Sequence, residues 1–208
     1  MLKTITAGLL ALLAWSMTLA DAADIDVNRK CSDGTIDEVK CGYFYIEGEI
    51  LRGDAKKFAD VITNTSNTKV DMYLFLRSPG GVFEDGMEIA KLVHERGFRT
   101  DVANTDTCTS MCAIIWLAGS KRIYGGKARI GFHSVATTPV DSNGNRIKGS
   151  KSVSYNGGNA LVGAFFHELG LNDKAIETLT DAEPSSMFYL NTKRLEELGI
   201  TAKRNSNS

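Results

Sequence analysis

Between Tyr43 and Val135 two kinds of apolar pattern take turns, and this alternation limits the fold more than any other feature of the chain. Tyr43 to Ile50 is rich in aromatic and β-branched residues, which predicts a strand. Asp54 to Asn64 places Ala55, Phe58, Ala59 and Ile62 at helical spacing, with Asp54 as the expected N-cap. Val70 to Leu76 is a short continuous apolar run, as in a strand covered on both faces, and Ser78-Pro79-Gly80-Gly81 breaks it. Asp85 to Arg96 returns to helical spacing and stops at Gly97. Thr100 to Ala103 and Arg129 to Val135 read as further strands, the second carrying His133. Met111 to Leu117 is apolar throughout and is compatible with either helix or strand. Strands alternating with helices predict an α/β fold with a mainly parallel sheet and right-handed crossovers.

Beyond Val135 the signals thin out. Thr137 to Asn159 is rich in Gly, Ser and Asn and reads as an exposed excursion, a hairpin in form. Helices are expected over Ala160 to Leu169, Asp173 to Leu179 and Leu190 to Leu198, with a polar, frayed tail after them at 201–208. No internal repeat or dividing linker is visible, so residues 43–200 are expected to form a single domain.

Charge and cysteine usage bound the function. Asp+Glu 25 against Lys+Arg 24 leaves a net charge of -1, with no basic excess to neutralise phosphates, so nucleic acid is not an expected partner. At the start, Lys3, the apolar run Ala7 to Trp15 and the small residues of Ala20-Asp21-Ala22 compose a secretory signal over residues 1–22. The expectation is an exported protein, periplasmic or secreted, without a stable membrane anchor after cleavage. In an oxidising compartment Cys31 and Cys41, within the 23–42 segment, are expected to pair. Cys108 and Cys112 do not have C-x-x-C spacing and are read either as small buried residues or as a disulfide. Neither a metal site nor a cofactor is expected.

Three features could carry chemistry. Gly80 and Gly81 follow a buried strand, where glycine lets the backbone turn and direct N–H groups outward toward an anion; a plain turn reads the same way. Ser110 lies among small residues ahead of an apolar segment. It would serve either as an N-cap or as a serine at a helix N-terminus, where developing negative charge is favoured. His133 closes an apolar strand and would be either a structural residue or the base that a nucleophilic serine needs. His94 lies mid-helix among charged residues, and His167 stands on a helix beside Glu168 and reads as solvated; both are weaker candidates.

Taken together, Pro79-Gly80-Gly81-Val82, Cys108-Thr109-Ser110-Met111 and Gly131-Phe132-His133 resemble the proteolytic subunit of Clp protease and its exported relatives, in the Clp protease/crotonase superfamily. Lys121 to Tyr124 with Ala128 to Ile130, and the closing Leu198-Gly199-Ile200, are similar as well. The resemblance spans roughly residues 43–200 and implies stacked ββα units. It implies Ser110 as nucleophile and His133 as general base. Gly80, Gly81 and Met111 would supply the main-chain donors of an oxyanion hole. The third triad member departs from the family pattern: the matching position is Met187. Asp181 and Glu183 are nearby, with Asp181 the candidate acid, and Asp173 is more distant; a Ser–His dyad, with a serine or main-chain oxygen orienting the imidazole, is the other possibility. The implied function is a serine peptidase acting on peptides or unfolded segments without ATP, in a homo-oligomer. The alternatives are a non-catalytic peptide-binding or scaffold member of the fold and, further off, crotonase-type acyl-CoA chemistry.

Overall fold

The computed structural model describes residues 23–28, 41–63, 71–137, 139 and 147–205. The expected signal segment 1–22 and Cys31, hence the expected Cys31–Cys41 pair, lie outside the described residues.

The strands follow from their alternation. In β2 (Cys41–Glu47), Phe44 and Ile46 turn into the core while Tyr43 and Tyr45 face outward. In β3 (Asp71–Arg77), Leu74 and Leu76 do the same opposite Tyr73 and Phe75. With β1 (Asp24–Asn28), β4 (Arg99–Val102), β6 (Lys121–Gly125) and β11 (Lys203–Asn205) they form a six-stranded sheet in the order β1-β2-β3-β4-β6-β11. All of its pairings are parallel except β1 with β2. The architecture is therefore mixed α/β with a mainly parallel sheet. A smaller sheet runs β10-β7-β5, from β5 (Thr107–Thr109), β7 (Arg129–Phe132) and β10 (Phe188–Tyr189).

Helices α1 (Asp54–Thr63), α2 (Phe83–Glu95) and α3 (Met111–Leu117) carry the other half of the core. Phe98 packs edge-on against Phe44 and tilted against Phe58, joining α1 to the sheet. Every residue of α3 is buried, which explains its uniform apolarity: a helix covered on all sides has no polar face to set a period. Its Trp116 indole N–H donates to the Ile123 carbonyl of β6, and Thr100 Oγ1 of β4 donates to the Trp116 carbonyl.

Several boundaries differ from expectation. Asp54 is the first residue of α1 rather than its cap; Asp85 Oδ1 of α2, far along the chain, accepts from the N–H groups of Gly53 and Ala55. The strand bearing His133 ends at Phe132, so His133 stands on the loop just past it. The excursion does close as a hairpin at its base, where β8 (Ala136–Thr137) pairs antiparallel with β9 (Val153–Ser154). Helix α4 (Asn156–Glu168) starts four residues before the expected Ala160, α5 (Asp173–Thr180) matches, and α6 (Thr192–Glu197) is shorter than read. The tail is corrected too. Lys203 to Asn205 form the edge strand beside β6, a pairing made through the backbone that polar side chains do not advertise.

Candidate active site

One cavity of about 610 Å³ gathers the singled-out residues, with Gly81, Ser110, Met111 and His133 among its lining. Three loops at strand ends bring them there, as parallel sheets commonly do for their sites. The β3 end is tied down first. Ser78 N–H donates to the Thr107 carbonyl, and Thr109 N–H donates back to the Ser78 carbonyl. The buried Ser78 Oγ then accepts from Gly80 N–H. That bond decides between the two glycines, because the Gly80 donor is engaged. Ile50 N–H donates to Gly80 O and Val82 N–H donates to Ile50 O, so the Gly81 N–H is directed away from that bridge. A side chain at Gly81 is impossible: a Cβ would lie 1.9 Å from the Ile50 oxygen, at φ +150°.

Ser110 joins β5 to α3 in a left-handed conformation, φ 58° and ψ -127°. A non-glycine residue there costs on the order of 1–3 kcal/mol and persists where its surroundings over-determine it. They do so here. Ser110 N–H donates to the Gly131 carbonyl, and the Ser110 carbonyl accepts from Ala113 and Ile114. Its side chain makes no cap bond to α3, so the N-cap role weighed from sequence is not filled by the hydroxyl. The Met111 N–H begins the helix and by position has no intrahelical acceptor. Cys108 and Cys112 are joined in a disulfide across this elbow, which settles the two readings of that pair.

His133 is half-buried, and its Nδ1 lies 2.7 Å from the Ser134 carbonyl. A carbonyl can only accept, so Nδ1 must carry the hydrogen, and in the neutral ring Nε2 is left as the acceptor. Asp181 is not brought into this cavity. It caps the C-terminal end of α5 and lines neighbouring cavities, one of them together with Ser134. Asp173 begins α5. Met187 immediately precedes β10, whose register sets Phe188 against Phe132, the residue before His133. Its side chain lies against Gly131, where a Cβ would come 2.7 Å from Met187 Cγ. His94 meets Phe165 edge-on and His167 stands exposed on α4; neither lines the cavity. Among the described residues no group of three or more His, Cys, Asp or Glu is placed to hold a metal ion, and no helix is long and apolar enough to cross a membrane.

The family model described as Clp protease matches residues 43–139, from β2 to just past the His133 loop. Among solved structures, a single-substitution variant of ClpP1 from Listeria monocytogenes aligns at 20% identity with a TM-score of 0.56, covering 79% of this chain and 91% of that one. The chain is Clp protease-like. The ClpP protease catalytic domain from Plasmodium falciparum gives a TM-score of 0.57 at 16% identity, over 81% of this chain and 86% of its own. A variant of a membrane-bound stomatin-specific protease gives 0.59 at 13%, over 78% of each chain. These structures share the Clp protease-like fold with the chain. No curated protein matches it by sequence.

Proposed function

We propose that this Clp protease-like chain is a serine peptidase that cleaves extended peptide segments through an acyl-enzyme, without ATP. The observation that carries the proposal is the shared cavity of Ser110, on its left-handed elbow, and His133, with Nδ1 committed to a carbonyl. In this reading Ser110 Oγ gives its proton to His133 Nε2 and attacks the peptide carbonyl carbon. The resulting oxyanion is received by the N–H groups of Gly81 and Met111, donors worth about 3 kcal/mol each in such sites. Collapse of the intermediate breaks the C–N bond, and the imidazolium returns the proton to the departing amine. Water, deprotonated by the same Nε2, then releases the acyl group from Ser110. Val82 and Ala136 both line the cavity, and their backbones would hold the substrate there as an extended strand. The signal read at residues 1–22 supports an exported setting, and the likeness to Clp proteases supports assembly into a homo-oligomer.

The test is intact-mass spectrometry before and after exposure to a fluorophosphonate. One adduct is expected on the wild-type protein and none on Ser110→Ala, with His133→Ala reacting at least a hundredfold more slowly. An unchanged adduct on Ser110→Ala would overturn the assignment. A second reading, a peptide-binding protein of the same fold without turnover, is favoured by Met187, which holds the position matching the family's acid and packs against Gly131, two residues before His133. A folded wild-type protein that binds peptides and takes no adduct would select it.

A further inference from the structure

The chemistry proposed above uses a serine, a histidine and two main-chain donors, and it leaves the disulfide around the serine without a role. Cys108 is the middle residue of the three-residue strand β5, and Cys112 is the second residue of the seven-residue helix α3. Their Cα atoms lie 5.1 Å apart, and Thr109, Ser110 and Met111 form the arc between them. Both cysteines are wholly buried, so the link faces neither solvent nor the cavity. The strand side of the link is fixed: Cys108 pairs with Ile130 of β7 and bridges to Ser78 at the end of β3. Its helix side is the first turn of α3, where the two N–H groups after Cys112 begin the ladder, with Ala113 and Ile114 donating to Ser110. Two short elements thus meet at a residue in a conformation that side chains other than glycine rarely adopt. Left to local preference, the junction would move to negative φ, carrying the Ser110 hydroxyl and the Met111 N–H with it. A bond from strand to first helical turn holds the ends of the arc together.

We propose that the Cys108–Cys112 disulfide is a positioning device for Ser110, holding the left-handed elbow that sets the hydroxyl and the Met111 N–H in one cavity. Cys108 and Cys112 act through Ser110 and touch no substrate. The kinetic arm of the test rests on the peptidase reading; the structural arm does not.

The experiment compares the wild-type chain with two paired variants. Cys108→Ala with Cys112→Ala keeps the site apolar, and Cys108→Ser with Cys112→Ser keeps it closer in size. The wild type is also measured after reduction by a water-soluble phosphine, which gives two electrons to the S–S bond and becomes the phosphine oxide while each sulfur takes up a proton from water. The first readout is amide hydrogen exchange with a crystal structure of whichever pair folds. Exchange at residues 109–114 is expected to rise at least tenfold while β2 and β3 stay within twofold, and Ser110 is expected to leave positive φ. The second readout is the fluorophosphonate reaction rate at Ser110, expected to fall at least thirtyfold with half-saturation changed less than threefold. An elbow that keeps its φ and its exchange in a folded variant would overturn the proposal, as would labelling at the wild-type rate. Loss of the whole fold in both pairs and on reduction would overturn it equally, since the link would then be a staple for the entire domain. If the wild type takes no adduct, the peptidase reading falls, and the exchange arm still decides this proposal.

Discussion

A β-carbon on Gly80 would sit 2.6 Å from Ser110 Cβ and 2.9 Å from Met111 N, so the two loops meet with no room between them. At φ +96°, Gly80→Ala adds backbone strain of about 1–3 kcal/mol to that collision. The expected outcome is a lower melting temperature together with loss of fluorophosphonate labelling, while an exposed control such as Gly53→Ala, with nothing near its Cβ, loses only stability. Asp181→Asn asks a different question. Because Asp181 lines other cavities, labelling of Ser110 should stay within threefold of wild type; a hundredfold fall would make it the missing acid and displace the Ser134 carbonyl from that role. A third residue speaks to stability. Asp101 is buried on β4 with its Oδ1 unpartnered, and burial, helped by Asp106, raises its pKa above the ordinary carboxylate range. The folded chain therefore keeps this proton to higher pH than the unfolded chain does. Stability falls as pH rises from about 4, where the unfolded carboxyl ionises, through the raised folded value. Asp101→Asn should raise the melting temperature at pH 7 and lose that advantage below about pH 4, as a pH series of thermal melts would read. At this scale Ser110 and His133 were legible because polar residues at the ends of apolar segments stand out. Which carbonyl faces the imidazole was not, since main-chain atoms carry no letter of their own, and the choice between Gly80 and Gly81 needed the Ser78 hydroxyl.

Helices with one wet face announced themselves. The apolar positions of α1 and α5 recur at helical spacing, and both stand where that spacing puts them. Helix α3 did not, because complete burial erases the period by which a helix is recognised. Its contribution to the core can be measured. Trp116 is fully buried and bonded to Ile123, so Trp116→Ala should cost about 3–5 kcal/mol in urea unfolding, with the orphaned Ile123 carbonyl adding to the cavity. A destabilisation under 1 kcal/mol would mean that α3 is less central than its burial implies. Strands of two or three residues, β5, β10 and β11, were missed for the opposite reason: they are too short to show alternation, and their partners alone define them. Asp85 belongs to the same class, a cap supplied to α1 from the next helix and invisible to any local window.

Over the whole molecule, the buried apolar residues form one contiguous core that reaches from Ala23 beside β1 to Ile200 before β11. The outer face of the main sheet is different. Tyr43, Tyr45, Tyr73 and Phe75 lie there in mutual ring contact and remain partly open to solvent. If the chain assembles as proposed, its mass by light scattering should be several times that of the protomer, and a monomer at micromolar concentration would remove that part of the proposal. The fold class could be read in advance because alternation between strands and helices is a property of long stretches, whereas the site is a property of where those stretches end. One of those ends has a kinetic meaning. The group that orients His133 is the carbonyl of Ser134, a dipole and not an ion. An imidazolium formed during attack would thus meet, among the described residues, a dipole and no counter-charge at Nδ1, and each proton transfer would be harder than next to a carboxylate. Such an enzyme would turn over slowly, behaving less as a digestive catalyst than as a clock that marks single encounters.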